Sequence, residues 1–166
     1  MRKRLLRFLS KVSFSYDRMR MILYDATKKV MVFGVFDGLH EGHRYFLAMA
    51  REQGDELIAV VARDEVVRVL KNKTPRHSEE ERRRAVAQLL RLSLNSEAKP
   101  QLTDASRAVL GDRVLGAYDV IKKYKPDVIC LGYDQHALAE DLEKKMQTGV
   151  VPVILIRRIA AHKKKF

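Results

Sequence analysis

The chain has 166 residues, 46% of them hydrophobic, and its 33 lysines and arginines outnumber 21 aspartates and glutamates for a formal charge of +12. That length and apolar content suit one domain with a sizeable core and argue against disorder, while the cationic excess points to acidic partners: nucleotides, phosphorylated metabolites, nucleic acid or an anionic membrane surface. The single cysteine, Cys130, excludes an internal disulfide and a cysteine-rich metal site, and no apolar stretch approaches the roughly 20 residues that span a bilayer.

Met1 to Arg20 carries Arg2, Lys3, Arg4, Arg7, Lys11, Arg18 and Arg20 beside Leu5, Leu6, Phe8, Leu9 and Phe14. This reads as a basic amphipathic helix, so residues 1–28 are taken as an extension and 29–166 as the domain proper. The extension could contact nucleic acid or a membrane surface, or pack its apolar side on the core or on a second subunit. No signal-peptide cleavage pattern follows its short apolar patch, and a cytoplasmic location is expected.

Beyond it, apolar runs predict strands at Val30–Phe36, Glu56–Ala62, Arg107–Leu110, Asp127–Leu131 and Val151–Ile156. Helical spacing predicts intervening helices at His43–Gln53, Glu65–Leu70, Ser78–Leu92, Gly116–Tyr124 and Ala137–Gln147. Ser78 is a candidate cap, and Glu81 completes a capping box. Cys130 falls in the apolar run Val128–Leu131 and reads as a buried strand residue. The alternation predicts an α/β fold: a Rossmann-like, doubly wound, parallel five-stranded sheet with helices on both faces. In such sheets the ligand crevice lies beyond the carboxyl ends of the strands, where the winding direction reverses.

The first strand ends on Val35-Phe36-Asp37-Gly38-Leu39-His40-Glu41-Gly42-His43, which sets two imidazoles around a glycine where a strand gives way to a helix. Free N–H groups and the positive end of the helix favour phosphate there. Gly42 lets a ligand approach the main chain, and imidazoles three residues apart can face the same oxygens. Either histidine taken alone would read as an ordinary loop residue.

The string Gly34 to His43 resembles the GxFDxxHxGH signature of the cytidylyltransferase-like nucleotidyltransferases, with Gly34, Phe36, Asp37, His40, Gly42 and His43 filling every named position. That family joins a nucleoside monophosphate to a phosphorylated acceptor and releases pyrophosphate. Val35 stands where many relatives carry Thr. Gly54–Leu57 and Val60–Glu65 are similar to the second strand and turn of archaeal-type FAD synthases and of glycerol-3-phosphate cytidylyltransferases. Lys71 and Arg82 match a family lysine and arginine that contact the triphosphate or the acceptor phosphate. Leu131-Gly132-Tyr133-Asp134-Gln135 looks like the LGYDQ element of the FAD synthases. There Gly132 permits close backbone approach to a base or ribose, and Asp134 can accept hydrogen bonds from hydroxyl or amino groups. Arg157 matches an arginine that follows the last strand in relatives. Their Ser/Thr-rich string after it has no counterpart in Arg158–Phe166, so the chain either is shorter than its relatives or lacks part of a phosphate cradle.

The resemblance implies catalytic roles for His40, His43, Lys71 and Arg82. It implies nucleotide contacts from Gly34, Val35, Phe36, Asp37, His40, Gly42, His43, Gly132, Asp134 and Arg157. The implied reaction is in-line attack by an acceptor phosphate on the α-phosphorus of ATP or CTP. Positioning and charge stabilisation by imidazoles, cations and helix N–H groups supply the rate. No metal is expected in a protein cage: Mg2+ arrives with the triphosphate, and Asp37 organises the loop. FMN is the first expected acceptor, making FAD. Glycerol 3-phosphate, giving CDP-glycerol from CTP, is the second, and phosphopantetheine adenylyl transfer the third. From a different class, a non-catalytic nucleotide- or RNA-binding module would also suit the basic extension. Relatives are often dimers, so a homodimer is a further expectation.

Overall fold

A computed structural model of the chain describes residues 27–94 and 106–162. The basic extension expected at residues 1–28 therefore falls almost wholly outside the described residues, as do Lys163, Lys164 and Lys165.

Five strands, β1 (Lys29–Gly34), β2 (Glu56–Val61), β3 (Arg107–Leu110), β4 (Val128–Gly132) and β5 (Leu155–Ile159), form one sheet in the order β3-β2-β1-β4-β5. Every pairing is parallel. The connections contain helices α1 (Glu41–Arg51), α2 (Asp64–Lys71), α3 (Glu79–Leu94), α4 (Asp119–Tyr124) and α5 (His136–Gln147). This is the doubly wound architecture expected from the alternation, and the winding reverses between β1 and β4.

Side chains alternate across the strands with period two, so each strand supplies both layers of the core. Val30, Val32, Leu57, Ala59, Val128 and Cys130 face Leu47 and Ala50 of α1 and Val86 and Leu90 of α3. Met31, Ile58, Val60, Ile129 and Leu131 face Val120 and Ile121 of α4 and Leu142 of α5. β2 is buried along its whole length, which is why Leu57 to Val61 read as a continuous apolar run without polar alternation. Burial also pushes the Cys130 thiol up to about 11, so it packs as a small apolar side chain.

The capping box at α3 forms as expected: Ser78 N donates to Glu81 Oε2 at 2.8 Å and Glu81 N to Ser78 Oγ at 3.3 Å. Three of the boundaries that move have a clear local cause. β1 stops at Gly34 because Phe36 takes a left-handed backbone, with φ of +54°. α4 begins at Asp119, three residues late, because Gly116 and Tyr118 also have positive φ, which a right-handed helix cannot hold. β5 begins at Leu155 instead of Val151, since Pro152 has no N–H to give the ladder. Val151 is buried without being a strand residue, and that burial is what the apolar run reported.

Candidate functional site

A cleft of about 1450 Å³ lies across the carboxyl ends of the strands. Single-ligand pockets typically enclose about 300–1,000 Å³, so this one has room for two sizeable molecules. Its floor is fixed where β1 and β4 part. Gln135 Oε1 accepts from Gly132 N at 2.7 Å and its Nε2 donates to Phe33 O at 2.9 Å, one side chain stitching both strand ends. Gln135 was read only as the last letter of the LGYDQ string, and its amide geometry gives it this role.

The loop after β1 builds the anion-binding end. The buried Phe36 ring tucks under Gly34, where any Cβ would lie 2.6 Å from it. That ring supports His43 from below at a centroid distance of 5.4 Å. His40 caps α1 with its imidazole: Nδ1 accepts from His43 N at 3.4 Å. A Cβ on Gly42 would come within 3.0 Å of that ring, so the glycine makes space for the cap. A neutral His40 that accepts at Nδ1 carries its proton on Nε2. His43 therefore belongs to the first turn of α1, which starts two residues ahead of the expected boundary.

His40 and His43 stack with centroids 3.8 Å apart. Burial first, then the neighbouring His40 and Lys71, lower the His43 pKa from 6.5 to about 4, although Asp134 opposes the shift. His43 is thus a neutral imidazole in the free chain. Its Nδ1 is buried with no hydrogen-bond partner. A titration of the free protein followed by NMR should give a His43 inflection near 4, below the ordinary 6.5. Because the unfolded chain takes up this proton and the folded chain does not, stability should fall as pH drops from 6.5 and level off below about 4.

Asp37 is committed to the loop frame. Its carboxylate accepts from Arg76 N at 2.8 Å and His77 N at 3.1 Å, with His77 Nδ1 at 2.9 Å. Burial alone would raise this carboxyl, but those partners outweigh it and hold it at about 2. Gly34, Val35, Gly132 and Asp134 line the cleft with His40, Gly42 and His43, and Lys71 and Lys73 line it from the end of α2. Asn72, in the left-handed conformation, terminates that helix between the two lysines.

Two expected contacts stand elsewhere. Arg82 is 1% exposed and does not line the cleft. It donates to Val35 O at 2.7 Å, His77 O at 3.0 Å and Asp64 Oδ1 at 2.6 Å. Arg157 lies within β5 opposite Cys130, exposed and away from the cleft. It is Arg158 that reaches the site loop, donating to Tyr133 O at 3.1 Å and Gln135 O at 3.2 Å. Sequence reasoning also passed over His162, which lines the cleft just past β5 and packs on Tyr45 at 4.9 Å. Its position after the arginines, where relatives place hydroxyl groups, was the available signal. Among the described residues no group of three or more His, Cys, Asp or Glu side chains could hold a metal ion, and no helix is long and apolar enough to cross a membrane.

The cytidylyltransferase-like family matches residues 31–164. The chain belongs to that family. As a cytidylyltransferase-like protein it is a nucleotidyltransferase, and its sequence relatives are specific. It is 38% identical to the FAD synthase of Pyrococcus horikoshii over 84% of this chain and 86% of that one. It is 40% identical to the FAD synthase of Pyrococcus abyssi over 78% of each. Among solved structures, a protein of Thermoplasma volcanium described as a lipopolysaccharide core biosynthesis protein superposes with a TM-score of 0.67 and 33% identity. The match covers 83% of this nucleotidyltransferase and all of that chain.

Proposed function

We propose that this nucleotidyltransferase makes FAD: a phosphate oxygen of FMN attacks the α-phosphorus of ATP, a new P–O–P link forms, and pyrophosphate leaves. The observation that carries the reading is the pair at the head of α1. There a neutral His43 with an unpartnered buried nitrogen lies beside His40, within the electrostatic reach of Lys71 and Asp134. Such donors suit the charge that builds on phosphoryl oxygens, and cost little reorganisation because the fold holds them in place. Lys71 and Lys73 attract the phosphates, Gly42 lets the His40 imidazole close over the helix start, and Asp134 and Gly132 sit where a ribose or base edge would lie. Arg82 acts through Val35 and Asp64 as a positioning residue. The similarity to FAD synthases favours ATP and FMN over CTP and glycerol 3-phosphate.

A divalent metal, Mg2+, suits this site as a companion of the triphosphate. The cleft offers imidazoles, ammonium groups and N–H donors, which seek phosphate, and of its carboxylates Asp37, Asp112 and Asp141 are engaged with Arg76 and His77, Val120 and Tyr118. When bound, the ion supplies further neutralisation of phosphate charge. His162 stands past β5, where relatives carry hydroxyl groups, and supplies a donor there in their place.

The test offers the purified chain ATP or CTP with FMN or glycerol 3-phosphate, in the presence of Mg2+. FAD should form from the first pair and CDP-glycerol should not form from the second. CDP-glycerol in place of FAD would overturn the acceptor assignment. ATP binding without any product would favour the non-catalytic binding module.

A further inference from the structure

One wall of the cleft is apolar. Leu70 of α2 and Val114 and Leu115 of the loop after β3 line it while remaining 55%, 69% and 50% exposed. Large apolar side chains gathered that openly in a concave wall mark a binding surface. The polar groups beside them are already engaged. Tyr118 donates to Asp141 Oδ2 at 2.6 Å, and Lys145 donates to Gly116 O while standing 5.1 Å over the Tyr118 ring. That wall is tied down further, since Asp112 Oδ2 accepts from Val120 N at 3.4 Å and Arg113 pairs with Glu65 of α2 at 3.7 Å. The arm therefore presents apolar surface beside polar groups that already have partners.

We infer that this arm, formed by Leu70, Val114 and Leu115 above the buried Tyr118, binds the isoalloxazine ring of the flavin acceptor. The inference rests on the FAD-synthase reading and deepens it. Lys71 follows Leu70 directly, lines the same cleft and is close enough to His43 to influence its proton. A ligand with an apolar ring at one end and a phosphate at the other is matched by that succession: apolar arm, ammonium, imidazole. FMN has this build, with a dimethylbenzene edge that offers no hydrogen-bonding atoms. Adenine is the poorer occupant, because its edge nitrogens and amine need polar partners, and those in the arm are occupied. The cleft volume, larger than one ligand needs, leaves the region near Gly132, Asp134 and His162 for the nucleotide.

The test measures KM for FMN and for ATP in the wild type, Leu115→Ser, Val114→Ser and, as a distant control, Val153→Ser on the exposed approach to β5. Both arm residues are exposed, so the variants should fold. KM for FMN should rise about tenfold in each arm variant, with KM for ATP unchanged and the control unaffected. Riboflavin, which lacks the phosphate, should compete with FMN in the wild type and lose potency in the arm variants. A wild type that makes FAD while the arm variants keep the same KM for FMN, or raise KM for ATP instead, would overturn the inference alone. A wild type that makes no FAD would overturn the acceptor reading and this inference with it.

Discussion

His43→Ala should slow FAD formation by about 10²- to 10³-fold, the usual cost of removing one preorganised donor to a developing phosphoryl or oxyanion charge. The geometry gives the reason. His43 is held between the Phe36 ring and the stacked His40, at 5.4 Å and 3.8 Å, so its orientation is set before any ligand arrives. Burial keeps it neutral, and its Nδ1 has no partner in the free chain. An unsatisfied buried nitrogen costs a fold about 1–3 kcal/mol, so the free chain keeps this atom at the expense of stability. Alanine removes that penalty and also removes aromatic contacts worth about 0.5–1.5 kcal/mol each, two effects of opposite sign. The melting temperature should therefore move little while the rate collapses, and thermal unfolding beside steady-state kinetics would separate the two. An unchanged rate would remove His43 from the chemistry.

Arg82→Ala should behave in the opposite way, lowering stability by about 3–5 kcal/mol, the range for breaking a buried charge pair from one side. Its guanidinium ties Val35 of the loop after β1, Asp64 at the start of α2 and His77 ahead of α3, three segments that frame the cleft. Alanine leaves those acceptors short of a donor and opens a void in a side chain that was 1% exposed. That loss is a large fraction of an ordinary folding free energy, and for a domain of this size the melting temperature should fall by roughly 6–20 °C. Arg82→Lys should rescue little, because one ammonium cannot reproduce a fork aimed at three acceptors. Calorimetry decides the matter. A variant that melts like the wild type but loses activity would return Arg82 to direct phosphate contact.

The strand-to-helix junction was legible because an apolar strand before it and helical spacing after it frame two imidazoles and a glycine in the GxFDxxHxGH pattern, and the structure brings His40, Gly42 and His43 together there. The sheet was legible from apolar runs, since strands buried on both faces leave that pattern. What escaped were features set by tertiary contacts. Arg82 in an arginine-rich helix start reads as a solvated charge or a ligand contact, and only the packed loops show that it is enclosed. The Val151-Pro152-Val153 run looks like a strand, yet the missing proline N–H delays pairing to Leu155, and Arg157, expected just past the last strand, falls within it. The left-handed backbone of Phe36 and Tyr118 has no sequence signal, as neither is a residue type that favours it.

Incubation with FMN, Mg2+ and ATP labelled at the α-phosphorus tests the central claim most directly. The account predicts FAD that retains the α label, with one pyrophosphate released for each FAD formed. Label that stays in ATP while FMN remains unchanged, or that passes to another acceptor in preference to FMN, would contradict it.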